Sequence, residues 1–293
     1  MFQNVQQLIE LTDEKKISIS EAMILQEMEV HDRSREEIIK QMDRNLTVME
    51  QAVKRGIEEE VKSVSGLTGG AGKKLYEYMQ KNETLAGDLL LDAVAKAMAT
   101  NEVNAAMGTI CATPTAGSAG VVPGALFAVK KKLNPSRDQM IRFLFTSGAF
   151  GYVVANNASI SGAAGGCQAE VGSATGMAAA AVVEMAGGTP RQSAEAMAIA
   201  LKNMLGLVCD PVAGLVEVPC VKRNAFGASN AIVAADMALA GITSRIPTDE
   251  VIDAMYKIGQ SMPSALRETA EGGLAATPTG RRLQQEIFGK TPR

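Results

Sequence analysis

From Ser34 onward the apolar residues Ile38, Ile39, Met42, Leu46, Met49, Val53 and Ile57 recur every three to four positions, with charged residues in the intervals. That spacing gathers them on one stripe of an α-helix, whereas a strand, with its period of two, would scatter them over both faces. The run opens on "SREE", where Ser34 and Glu37 form a capping box. Upstream, "SISEAMILQEMEV" predicts another helix, opened by Ser20. Downstream, the glycine-rich break "SGLTGGAGKK" begins at Ser65. It divides the chain into a charged helical portion, 1–64, and a body, 65–293; one continuous domain is the alternative.

The body changes character from about Asn101, where Ala, Gly, Met and Asn replace most charges. Such residues allow close backbone approach and suit helices buried on most sides. Start signals recur at Asn134-Pro135 before "SRDQMIRFLFTSGAF", at Thr189-Pro190 in "TPRQSAEAMAIALKNMLG" with Gly206 as its stop, and at "IPTDEVIDAMYKIGQSM". No stretch sustains an alternation rich in Val, Ile and Thr; "GYVVANN" alone is ambiguous. The expected fold class is all-α.

With 293 residues, 46% of them apolar, the chain can bury a substantial core. A net charge of -3 without a clustered basic face argues against a nucleic-acid partner. The one lysine run, Lys130 to Lys132, reads as a solvated turn before a helix start. "MFQNVQQLIELTDEKK" has no secretory pattern, and the apolar stretches Ala174–Gly188 and Ala225–Ile242 are broken by Glu184 and Asp236, so no membrane association is expected. A cytoplasmic protein with reduced thiols follows.

Three loops rich in Gly and small residues carry the four cysteines: "GTICATPTAGSAGVVPG" with Cys111, "NNASISGAAGGCQAEVGSATG" with Cys167, and "GLVCDPVAGLVEVPCVKRN" with Cys209 and Cys220. Each joins expected helices, whose N-termini favour thiolates and bound carboxylates. A buried structural role is the commoner fate of a single cytosolic cysteine, and Cys111 keeps it. The only histidine, His31, lies far off and takes no role. Zinc is open as a reading of the other three thiols, although no C-x-x-C pair is present. An iron–sulfur cluster suits three thiolates on well-separated loops better. Held by three, a four-iron cluster keeps one iron open as a Lewis acid. A short echo, "ATPT" at Ala112 and again at Ala276, leaves coincidence and a shared site equally open.

The segments "SGAAGGCQAEVGSA", "LVCDPVAGLVEVPCVKRNA" and "TPTAGSAGVVPG" resemble those of the iron–sulfur-dependent L-serine dehydratases, in particular the α chain of the two-chain bacterial form. The separations of 42 and 11 between Cys167, Cys209 and Cys220 are similar to that family's ligand pattern. The resemblance implies a 4Fe-4S cluster on those three cysteines, in loops converging within an all-helical catalytic domain. It also implies conversion of L-serine to pyruvate and ammonia without pyridoxal phosphate, and a separate β chain as partner. Some single-chain members end in a cysteine able to cap the open iron; this chain ends "FGKTPR" and is expected to leave that iron uncapped.

Serine elimination needs a base for the Cα proton. Lys222 is the nearest candidate here, against the alternatives of a carboxylate-binding or solvated lysine and of a base on the β chain. Donors for the substrate are Thr113, Thr115 and Ser118 in the first loop, Asn156, Asn157 and Ser161 in the second, and Asn224 after Cys220. Each has an ordinary local reading as a turn or cap residue. The competing functional readings are a cluster-dependent hydro-lyase or desulfidase acting on another small acid, and a non-catalytic cluster-based redox sensor. A pyridoxal phosphate dehydratase would need strands alternating with helices.

Overall fold

The computed structural model describes residues 1–289 and among them contains thirteen α-helices and no strand, only two isolated bridges, Lys62 with Gly69 and Cys209 with Arg267. The last four positions of the "FGKTPR" end lie outside the described residues. The all-α expectation holds, and "GYVVANN" closes a helix, α7 (Arg137–Asn157). No helix is long and apolar enough to cross a membrane.

Several helix starts follow the local chemistry read from sequence. In α3 (Arg35–Glu58) the Ser34 hydroxyl accepts the Glu37 N–H at 3.3 Å while the Glu37 carboxylate accepts the Ser34 N–H at 2.9 Å. In α10 (Pro190–Lys202), Thr189 and Gln192 make the same box behind a proline in the first turn. Three local readings need correction. Ser18, not Ser20, caps α2 (Ile19–His31), accepting from Glu21 N–H. Asn134 ends α6 (Val121–Leu133) at φ 46°, and Ser136 caps α7, because a residue before proline is kept out of the right-handed helix. Lys130 to Lys132 form the last turn of α6 rather than a solvated turn, where cations complement the helix dipole. Lys131 reaches Asp92 there at 3.2 Å.

The centre is α9 (Ser173–Met185), buried on every side from Ser173 to Val183. It packs against α6, α7, α10 and α11 (Cys220–Leu239). Next to it α5 (Asp88–Ala105) packs on α6 and α11 at short range. A Cβ on Gly120 or Gly124 would overlap the Ala97 backbone, so these two positions set how near α6 lies to α5. The remaining helices surround this group: α1 (Val5–Lys15), α2 and α3 on one side, α4 (Ala71–Lys81) on α5, and α12 (Thr248–Ser261) against α10, with short α8 (Gly162–Gly165) and α13 (Pro278–Phe288) beside the cysteine loops.

Carboxylates from distant elements fasten helix starts whose N–H groups would otherwise be orphaned. Glu102 accepts from Ala71 and Gly72 N–H at 2.8 and 3.1 Å, at the start of α4. Glu184 of α9 accepts from Ile19 N–H at 2.9 Å, and Asp249 of α12 from Val5 N–H at 2.8 Å. Glu217, inside the Cys209–Cys220 loop, accepts from the Ser65 hydroxyl at 2.8 Å and thereby ties the glycine-rich break to the cysteine region.

Candidate functional site

Cys167 follows α8 and Gly166 and opens a wide π-type turn, Gln168–Gly172, that runs into α9. Such turns cost ideal helix geometry and concentrate at functional sites. The Gln168 amide holds the turn in place, donating to Gly165 and Met255 carbonyls at 2.9 Å and accepting from Gly206 N–H at 2.9 Å. Cys220 is the first residue of α11, after Pro219. Cys209 lies in extended chain clamped by the C-terminal segment: its N–H donates to Leu266 O at 2.8 Å and its carbonyl accepts from Glu268 N–H at 2.7 Å.

All three side chains are buried, and none is in a disulfide. Burial pushes the Cys167 thiol up to about 11, against the pull of the neighbouring Arg223. Burial also raises Cys209 and Cys220, and the charges of Cys167 and Glu170 raise each further. Cys111 stands apart: its thiol donates to Asn45 O of α3 at 3.4 Å, and burial alone raises it. Among the described residues no three His, Cys, Asp or Glu side chains converge on one point as a single ion requires. A four-iron cluster spreads its thiolates over several irons, and the donor set here is thiol only, which suits iron–sulfur ligation.

Glu170 is the residue that sequence reasoning missed. It is the only Asp, Glu, Lys, Arg or His between Arg142 and Glu184, a lone acid in a run of small residues, and that isolation was the available signal. The π-type turn directs it inward. The Thr115 hydroxyl donates to its Oε1 at 2.7 Å, and the Cys209 thiol faces its Oε2 at 3.9 Å. Glycines wall the same space: a Cβ on Gly162 would stand 3.0 Å from the Cys209 sulfur, and one on Gly117 3.0 Å from Glu170 Oε1. Burial, with help from Glu268, pushes the Glu170 carboxyl above its usual range, against the Thr115 hydrogen bond.

Of the expected substrate donors, Thr115, Ser118 and Asn224 are drawn to this centre. Ser118 donates to Thr113 O at 3.0 Å, folding the first loop on itself. Asn224 clips that loop to α11, accepting from Gly120 N–H at 3.0 Å and donating to Gly117 O at 2.7 Å. The Thr113 hydroxyl is buried without a partner. Ser161 lies next to Gly162 at the start of α8. Asn156 and Asn157 end α7 and are exposed; their amides donate to Tyr152 and Val153 carbonyls at 2.9 and 2.8 Å, and Asn157 also to Gln3 O at 2.7 Å. Lys222 is exposed and lines a cavity of about 480 Å³ with Pro219, Arg223 and Phe226.

The two "ATPT" turns approach the cysteine loops in different forms. The first leads into the Ala116–Ser118 turn beside Glu170; the second caps α13, with Thr277 accepting from Gly280 N–H, and packs on the Val212–Gly214 turn after Cys209.

The family model described as "Serine dehydratase alpha chain" matches residues 14–275. A protein of Bacillus subtilis named "Probable L-serine dehydratase, alpha chain" is 77% identical over 289 residues, covering 99% of this chain and 96% of its own. The "L-serine dehydratase, alpha chain" of Peptoniphilus asaccharolyticus is 43% identical over 98% of this chain and 99% of its own. The "L-serine dehydratase TdcG" of Escherichia coli is 36% identical over 94% of this chain but 61% of its own length. The chain belongs to the serine dehydratase alpha chain family.

Proposed function

We propose that this chain is the α subunit of an L-serine ammonia-lyase, that Cys167, Cys209 and Cys220 hold its 4Fe-4S cluster, and that a separate β chain completes the enzyme. What supports the reading is that three buried thiols outside any disulfide sit on two loops, Cys167 with Glu170 on one and Cys209 with Cys220 on the other, with the Cys209 thiol facing Glu170 across them. Relatives of nearly equal length that are named alpha chains support the partner. Free cysteines suit a reducing cytoplasm.

The reaction removes the Cα proton and the β-hydroxyl of L-serine, leaving 2-aminoacrylate, which tautomerises to an imine and takes up water to release pyruvate and ammonia. The cluster, when bound, supplies an open iron that acts as a Lewis acid on the serine hydroxyl. This chain supplies the rest of the floor. The first loop presents Thr113, whose buried hydroxyl has unspent capacity for a carboxylate, and Thr115, which orients Glu170. Ser118 and Asn224 hold that loop against α11 through backbone contacts. Ser161 borders the glycine wall. Within this chain Glu170 is better placed than Lys222 to exchange a proton in the enclosed space, because Lys222 lines the outer cavity. Asn156 and Asn157 act as end caps of α7.

The test is to purify the chain with its β partner without oxygen, record the visible spectrum and measure pyruvate from L-serine. Brown protein that yields pyruvate and loses activity in air is expected. Colourless, iron-free protein under these conditions would sink the cluster reading.

A further inference from the structure

Beside the thiols lies a buried ion pair that neither the sequence motifs nor the proposed reaction assigns. Asp210, directly after Cys209, is 2% exposed. Its Oδ1 stands 2.8 Å from Arg223 Nη2, a charge contact whose N–H is not aimed along the oxygen. Its Oδ2 accepts from Leu274 N–H at 2.7 Å. Gly273 carries φ 57° there, and a Cβ on it would overlap the Asp210 carboxylate. Arg223 sits one helical turn after Cys220, and its Nη1 donates to Val208 O at 2.7 Å, just before Cys209. The same guanidinium is near enough to Cys167 for its charge to favour the thiolate. One side chain therefore touches or neighbours all three cysteine segments, and Asp210 locks it to the C-terminal segment.

We infer that Arg223, held by Asp210, is a positioning residue of the three-thiol site: it fixes the Cys167 side chain and the Cys209 loop for metal capture and supplies positive charge to the anionic centre. A planar fork can bond a carbonyl, a carboxylate and a sulfur at once, which an ammonium on a flexible stem cannot. Partners that orient metal ligands commonly tune affinity and electronics together. The inference rests on the cluster reading of Cys167, Cys209 and Cys220.

The test compares Arg223→Gln, Arg223→Lys and Asp210→Asn with the natural sequence in the α–β complex. Each is reconstituted with iron and sulfide without oxygen; the readouts are iron per chain, the rate of iron loss to a chelator, and the reduction potential. Arg223→Gln is expected to lose iron about 10-fold to 100-fold faster and to shift the potential negative. Arg223→Lys should restore the potential but not the retention, because charge returns and the fork does not. Asp210→Asn should speed iron loss in the same direction. If Arg223→Gln fails to fold, the lysine and Asp210 variants decide. Variants that keep iron at the natural rate and potential would overturn the inference. Natural-sequence protein that takes up no iron would instead overturn the cluster reading beneath it.

Discussion

The helices that open the chain and the α5–α6–α9–α11 group are built from the same element but are held by different forces. In α1 to α3, large side chains such as Leu8, Ile24, Leu46 and Met49 reach inward across a gap, and charges cover the outside. Ion pairs bridge that outside: Arg35 with Glu21, and Arg137 with Asp43 and Glu50. In the inner group Ala and Gly replace the knobs, and backbones meet almost directly at Gly120, Gly124 and Ala97. A side-chain interface can relax around a deletion, whereas a backbone interface leaves little to move. The cysteine loops hang from the rigid group, so the spacing of its helices sets the geometry of the site.

The sharpest way to break this comparison is Gly120→Ala. The added methyl overlaps the Ala97 carbonyl and crowds Asn224, whose amide ties the first loop to α11. Overpacking of this kind costs about 3 kcal/mol or more, and iron uptake should fall with it. Urea denaturation of the apoprotein and iron per chain check both expectations. On the outer side, Leu46→Ala removes a fully buried side chain and should cost about 2–3 kcal/mol while leaving iron per folded chain unchanged. If Leu46→Ala disabled the site as Gly120→Ala does, the two regions would not differ as argued.

Glu170→Gln tests the inner group at its functional end. It keeps the shape that Thr115 and the glycine wall surround and removes the charge. Pyruvate formation should fall about 100-fold, the lower end of what proton transfer contributes, with the visible spectrum retained. Unchanged turnover would move the proton-transfer role to the β chain.

The smallest effect belongs to the surface. Hydrogen bonding and charge from Arg35, then Arg142, hold the Glu21 carboxyl below its usual range despite partial burial. A lowered folded-state value contributes stability that is present above the unfolded value, about 4.3, and is lost as pH falls below it. Glu21→Gln should therefore cost under about 1 kcal/mol at pH 7 and progressively less as the pH falls through the lowered folded-state value, read from melts across that range.

The fold was legible where local chemistry decides it. Capping boxes at Ser34 and Thr189 and the three-to-four period of α3 carry their own start signals. The lysine run misled because Lys130 to Lys132 read alike as a turn or as a helix end, and only packing against Asp92 separates the two. At the site, cysteine spacing together with the family resemblance pointed to three of the four thiols. Glu170 and Arg223 stayed hidden because their partners, Thr115, Val208 and Asp210, are brought in by tertiary contacts across loops. For Asn156 and Asn157 the residue type suits binding and helix ending alike; their amides donate to the Tyr152 and Val153 carbonyls, and Asn157 also to Gln3 O.

The measurement closest to the central claim is iron and sulfide per chain after anaerobic reconstitution of four single variants, Cys111→Ser, Cys167→Ser, Cys209→Ser and Cys220→Ser. A site built by Cys167, Cys209 and Cys220 predicts natural iron content in Cys111→Ser, whose thiol bonds α3 elsewhere, and loss of the cluster in each of the other three. Iron retained when Cys167, Cys209 or Cys220 is replaced, or lost when Cys111 is, would contradict it.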